Sequence, residues 1–66
     1  TAGEVTGAMR ALPGRLRTAA FLRYYQGMTI SETAHAMAVS ESTVKRLMQR
    51  ANALLRRQLK GWWDDE

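Results

Sequence analysis

Between Glu41 and Lys60 the chain has the pattern of one amphipathic helix. At 100° per residue, Val44, Leu47, Met48, Ala51, Leu54, Leu55, Gln58 and Leu59 fall on one side. Ser42, Lys45, Arg46, Gln49, Ala53, Arg56, Arg57 and Lys60 fall on the other, with Arg50 at the edge. A helix divided in this way packs one face on its neighbours and turns a basic face outward. Ser40 stands at the N-cap position, Glu41 suits the positive end of the helix, and Gly61 closes it. The stretch holds six cations against Glu41 alone, a net of +5, while the remaining residues carry four arginines against five acids, a net of −1. Such a stripe is either a solvated helix face or the electrostatic footprint of a nucleic-acid binder.

The residues before Glu41 read as three shorter helices. From about Gly3 to Leu12, the residues Val5, Ala8, Met9 and Leu12 share one helical face. Pro13 stops that helix and suits the first turn of the next. The second helix, roughly Gly14 to Gln26, ends at Gly27, a natural left-handed cap. It carries Leu16, Ala19, Ala20, Phe21, Leu22, Tyr24 and Tyr25, apolar around much of its girth, which predicts a central helix covered on several sides. Tyr24 and Tyr25 are expected to pack with one hydroxyl wet. Thr29-Ile30-Ser31-Glu32 is a capping box opening a third helix to about Met37. Ala38, Val39 and Ser40 then give the spacing of a helix-turn-helix. Met28, Met37 and Met48 are expected to fill the core, and His35 to lie on the surface.

These readings predict an all-α, four-helix bundle-like domain over residues 1–61, with a helix-turn-helix in its third and fourth helices. The long C-terminal helix is the recognition helix. Residues 62–66 form a separate tail, in which Trp62 and Trp63 are candidate contacts for a protein partner or for the domain itself. The acidic end of that tail would repel DNA phosphate.

Composition removes other classes. Sixty-six residues allow one small domain, which buries only about 60% of its unfolded surface and leaves little room for a catalytic cleft. With no cysteine and one histidine, a disulfide framework, a cysteine nucleophile and a His/Cys metal cluster are excluded. No nucleophile–base pair and no Gly-rich phosphate loop stands out, so neither an enzyme, a cofactor nor a small-molecule substrate is expected. No apolar run approaches the ~20 residues of a membrane span, and no leader opens the chain, so a cytoplasmic place is expected.

The outward face of the fourth helix begins with Ser42 and Thr43 and continues with Lys45, Arg46, Gln49 and Arg50. Helix N–H groups and Thr43 can hold a phosphate. Arginine is the natural bidentate partner of guanine O6/N7, and glutamine of adenine N6/N7. In a helix-turn-helix, such side chains near the start of the second helix reach base edges.

The run Leu12-Pro13-x-Arg15-x-Arg17, Leu22-Arg23-Tyr24 and Gly27-Met28 resembles region 4 of bacterial sigma factors, and of their extracytoplasmic-function group in particular. So does Glu32-x-Ala34, Ser40-x-x-Thr43-Val44-Lys45 and Arg50-Ala51. The likeness covers residues 5–59 without a gap. It implies binding of the −35 element of double-stranded promoter DNA in the major groove, docking on the β flap of RNA polymerase, and capture by anti-sigma factors. It also implies one domain of a larger, nucleoid-associated protein whose region 2 lies elsewhere.

Carried over residue by residue, the resemblance gives base contact to Arg46, Gln49 and Arg50. Phosphate contact falls to Lys45, Thr43, Ser42 and Arg23. This sequence departs from the family at several positions. Arg46 stands where a small Ser is common, Gln49 where His or an aromatic is common, and Leu47 and Asn52 where arginines are usual. Ile30 replaces a frequent Tyr, Thr33 a core Ile, and Ala38 the turn Gly. Thr33 is expected to return its hydroxyl to the preceding turn, and Ala38 to carry a strain of about 1 kcal/mol at positive φ. Two other readings stand beside this one. One is a sigma-like module whose main work is protein binding. The other is the DNA-binding domain of a LuxR-like activator, which shares Ser-x-x-Thr-Val-Lys but not Leu12-Pro13, Leu22-Arg23-Tyr24 or the first helix.

Overall fold

The computed structural model describes residues 7–58. The expectations for Val5, Leu59, Lys60, the Gly61 cap and the Trp62–Glu66 tail lie outside those residues. The described chain is helical, with no strand among its residues. Helix α1 occupies residues 7–10 and α2 spans Gly14–Ala20, running directly into a π-helical turn, Phe21–Tyr25. Helix α3 spans Ile30–Met37 and α4 spans Glu41–Gln58.

Helix α1 closes through Ala11 N–H to Gly7 O (3.2 Å) and Leu12 N–H to Met9 O (3.1 Å). Pro13, extended at φ −79° and ψ 147°, is the N-cap of α2, one place earlier than the first-turn position predicted for it. Its carbonyl accepts from Leu16 N–H at 3.0 Å.

The π-helical turn departs from the sequence expectation. Gln26 N–H reaches back five residues to Phe21 O (3.2 Å), the wide π spacing, before Gly27 reverses the chain at φ 68°. The next bond, Met28 N–H to Leu22 O (3.0 Å), spans six residues where an ordinary helix end would span five. The coverage expected of this helix is therefore uneven. Ala19 and Ala20 are fully buried, but Phe21, Tyr24 and Tyr25 are 41%, 49% and 57% exposed. No further element covers that side among the described residues.

Local chemistry fixes the next two elements as the sequence predicts. Glu32 N–H donates to Thr29 Oγ1 (3.0 Å) and Thr29 N–H to Glu32 Oε1 (2.9 Å), a complete capping box. The Thr33 hydroxyl returns to Thr29 O at 2.8 Å, so its full burial leaves no unmet polar group. Ala38 ends α3 in the left-handed conformation, φ 59° and ψ 45°. Around it Val39 N–H bonds Ala34 O (3.0 Å) and Ala38 N–H bonds His35 O (3.2 Å), the two bonds of a Schellman cap. Ser40 then caps α4, its Oγ accepting from Thr43 N–H at 3.1 Å.

Helix α4 is the spine of two core clusters. Ala51 and Leu55, with Leu54 at the edge, pack with Ala8, Met9, Leu12, Leu16 and Ala20. Val44 and Met48, with Leu47, pack with Ala19, Ala34, Ile30, Met37 and Val39. Adjacent alanines of α2 thus serve one cluster each, and their small side chains let α2 lie close to α4. Of the apolar-side residues, Gln58 is exposed instead, beyond the reach of these clusters. No helix among the described residues is long and apolar enough to cross a membrane.

Candidate nucleic-acid interface

The buried residues of α4, Val44, Met48, Ala51 and Leu55, hold the helix by one side. The opposite side leaves the body of the domain. Ser42, Lys45, Arg46, Gln49 and Arg50 are all exposed, and Thr43 is half-buried beside them. No hydrogen bond or ion pair among the described residues engages the side chains of Lys45, Arg46, Gln49 or Arg50. Four polar groups with donors to offer therefore stand within the first three turns of a helix whose packing fixes its rotation. That arrangement can meet an acceptor-rich surface broad enough to touch several side chains at once.

The start of α4 is differently built. Ser40 Oγ lies 2.9 Å from Thr43 Oγ1 and 3.3 Å from Ser42 Oγ, so three hydroxyls gather on the first turn. Glu41 is the one acidic group of that turn.

Arg23 sits apart from this row. It is half-buried in the middle of the π-helical turn, and Nη1 donates to Met28 O across the loop that leads into α3. Its Nε is buried without a partner. Its guanidinium braces the loop through Nη1. Leu47 and Asn52, which stand where the resemblance expects arginines, are half-buried. Leu47 packs in the cluster between α3 and α4, and Asn52 accepts from the Tyr24 hydroxyl at 2.5 Å. The Tyr24–Asn52 bond joins residues 28 apart in sequence, and no sequence pattern signalled it.

A second surface lies on the far side of α2. Met9, Arg10, Arg17, Thr18, Phe21 and Tyr25 line a groove of about 340 Å³. The rings of Phe21 and Tyr25 pack together at 5.1 Å between centroids, tilted by 46°. Among the described residues, no group of three or more His, Cys, Asp or Glu side chains is placed to hold a metal ion.

Two helices joined by a left-handed three-residue turn, the second carrying a free row of basic and amide side chains, make this a helix-turn-helix domain. The sequence matches the family model described as sigma-70, region 4, over residues 2–55, and the chain belongs to that family. It is similar to the RNA polymerase sigma-E factor of Streptomyces antibioticus, with 40% identity over 52 residues. Those residues are 79% of this chain but 29% of that relative, so the chain spans under a third of the relative's length. No solved structure matches it.

Proposed function

We propose that this domain recognises the −35 element of promoter DNA and so directs RNA polymerase to the start of transcription, as region 4 of an extracytoplasmic-function sigma factor. The observation that carries the reading is the free row Lys45, Arg46, Gln49 and Arg50 on a helix locked from behind by both core clusters. With α4 in the major groove, Arg46 and Arg50 suit guanine edges and Gln49 suits adenine. Ser42, Thr43 and Lys45 face the adjoining phosphates, with the N–H groups of the first turn behind them. Arg23 offers phosphate the guanidinium N–H groups left over from its bond to Met28 O. The reading entails binding without cofactor or enzymatic chemistry, in the bacterial cytoplasm at the nucleoid.

The test is a backbone amide NMR titration with pooled short duplexes at low salt and then at about 200 mM, where phosphate-dependent binding weakens steeply. Shifts centred on residues 42–50 and lost at high salt support the reading. Silence there at low salt refutes it.

The groove beside Phe21 favours a second, compatible role in protein docking, whether to RNA polymerase or to an anti-sigma factor. Exposed aromatic surface beside Arg10 and Arg17 suits a partner presenting apolar and acidic side chains. Phe21→Ala is expected to weaken capture by polymerase core while leaving duplex binding intact. Equal polymerase affinity for the variant and the parent would refute that role.

A further inference from the structure

We propose that the groove beside α2 has an occupant within this chain, the segment Trp62-Trp63-Asp64-Asp65-Glu66, which lies outside the described residues. The inference does not rest on the DNA reading. It bears on the docking role proposed above, because a protein partner must then displace the segment.

The chemistry of the groove selects the ligand. Phe21 and Tyr25 stand with their rings in contact on the π-helical turn, and both remain exposed. Met9 closes the groove from α1. Arg17 Nη1 reaches Arg10 O at 3.5 Å, which brings both cations to one edge of it. No carboxylate lines the groove, and no ion pair among the described residues engages either guanidinium. An aromatic floor beside two uncompensated cations suits a ligand with aromatic and anionic groups side by side. Indole packs edge-to-face on Phe and Tyr rings, and its own face takes a guanidinium. A carboxylate accepts charge-assisted hydrogen bonds from arginine. Residues 62–66 hold both tryptophans of the chain and three of its six acids, and no other stretch joins aromatic to acidic residues in this way.

Helix α4 delivers the segment to the groove. Leu55, in the last described turn, packs in one cluster with Met9, and Met9 also lines the groove. One residue thus joins the end of α4 to the groove, which puts the two within about the 10–12 Å breadth of a helix. Four residues lead from Gln58 to Trp62, and a stretch of four spans up to about 13 Å. That is enough for Trp62 to enter the groove and for the acids beyond it to meet Arg10 and Arg17. A tether this short holds the segment at an effective concentration on the order of millimolar, so even a weak intrinsic affinity fills the groove.

Because Trp62 and Trp63 are the chain's two tryptophans, intrinsic fluorescence reads the segment alone. Emission of the full chain should be blue-shifted from that of a peptide of residues 59–66 and several-fold less quenched by acrylamide. Arg17→Glu should move it most of the way to the peptide's. Arg15→Glu, an equal change of charge at an exposed position outside the groove, should leave it in place. In amide NMR spectra, the double variant Trp62→Ala, Trp63→Ala should shift Thr18, Phe21 and Tyr25 through lost ring currents. Peptide-like emission in the parent chain, or equal effects of the two charge reversals, would overturn the proposal. So would NMR shifts centred away from the groove, or emission that changes on dilution, which would assign the segment to a second copy. If the segment is seated but the double tryptophan variant binds polymerase core no more tightly than the parent, the docking role at this groove fails and the seat stands.

Discussion

Replacing Ala38 by glycine should stabilise this domain, and the structure gives the size of the effect. Ala38 sits at φ 59° and ψ 45°, where an L-residue carries about 1–2 kcal/mol of strain between Cβ and the backbone. Glycine removes that strain but loses more freedom on folding, which costs about 0.4–1 kcal/mol through the unfolded chain. Ala38 is exposed and belongs to neither core cluster, so its methyl group contributes no packing that would be lost. The net gain is about 0.5–1 kcal/mol. For a chain of this size, each kcal/mol moves the melting midpoint by about 4–8 °C, so Ala38→Gly should raise it by roughly 2–8 °C.

Circular dichroism during thermal and urea unfolding measures both quantities. Ala36→Gly is the matched control, an exposed position inside α3 where the same chemical change should cost about 0.5–1 kcal/mol. The reasoning requires opposite signs at two positions separated by one residue. A lower or unchanged midpoint for Ala38→Gly would show that the turn does not hold its left-handed geometry in solution.

Leu55→Ala should cost about 2–5 kcal/mol, because Leu55 is fully buried where α4 meets α1 and α2, and urea titration would show this as a lower midpoint at similar slope. Ser40→Ala removes the oxygen that caps Thr43 N–H and gathers the hydroxyls of the first turn, and should cost about 1 kcal/mol in the same assay. Arg50→Ala should weaken binding to a selected duplex by about 1–3 kcal/mol and relax preference at one base step. An equal loss on every sequence would make Arg50 a phosphate contact only.

Much of the fold was legible because its instructions are local. The Thr29–Glu32 box and the Ser40 cap each act over three residues and are announced by side-chain type, while Gly27 announces the chain reversal by its freedom at positive φ. Even the left-handed conformation of Ala38 followed from the family resemblance, which puts a turn glycine at that position. The π-helical turn did not announce itself, since reading apolar positions at 100° per residue assumes the narrower α spacing. The expectation that Phe21, Tyr24 and Tyr25 would be covered failed with it. The Tyr24–Asn52 bond was equally hidden, because it depends on how α2 lies across α4 and not on either local sequence. The bond from Arg23 to Met28 O was hidden for a related reason, since it depends on how the chain reverses at Gly27 and not on the local residue pattern.

The division of α4 accounts for which departures from the family the fold tolerates. Arg46, Gln49 and Arg50 project from the side opposite Val44, Met48, Ala51 and Leu55, so exchanging them leaves both clusters untouched. Exposed substitutions of that kind usually shift stability by less than about 0.5 kcal/mol. On the proposed DNA reading, base preference can therefore change by substitution at Arg46 and Gln49 while the scaffold stays the same. Leu47 obeys the other constraint. It packs against the cluster that joins α3 to α4, so a cation there must give up that contact or snorkel past it to reach the groove. Its apolar character follows from the joint it closes, and restoring an arginine should trade stability of the helix-turn-helix for phosphate affinity. Thermal unfolding and the salt slope of duplex binding, measured on Leu47→Arg, should move in opposite directions. A variant that gained affinity with no loss of stability would show that the α3–α4 joint does not depend on Leu47.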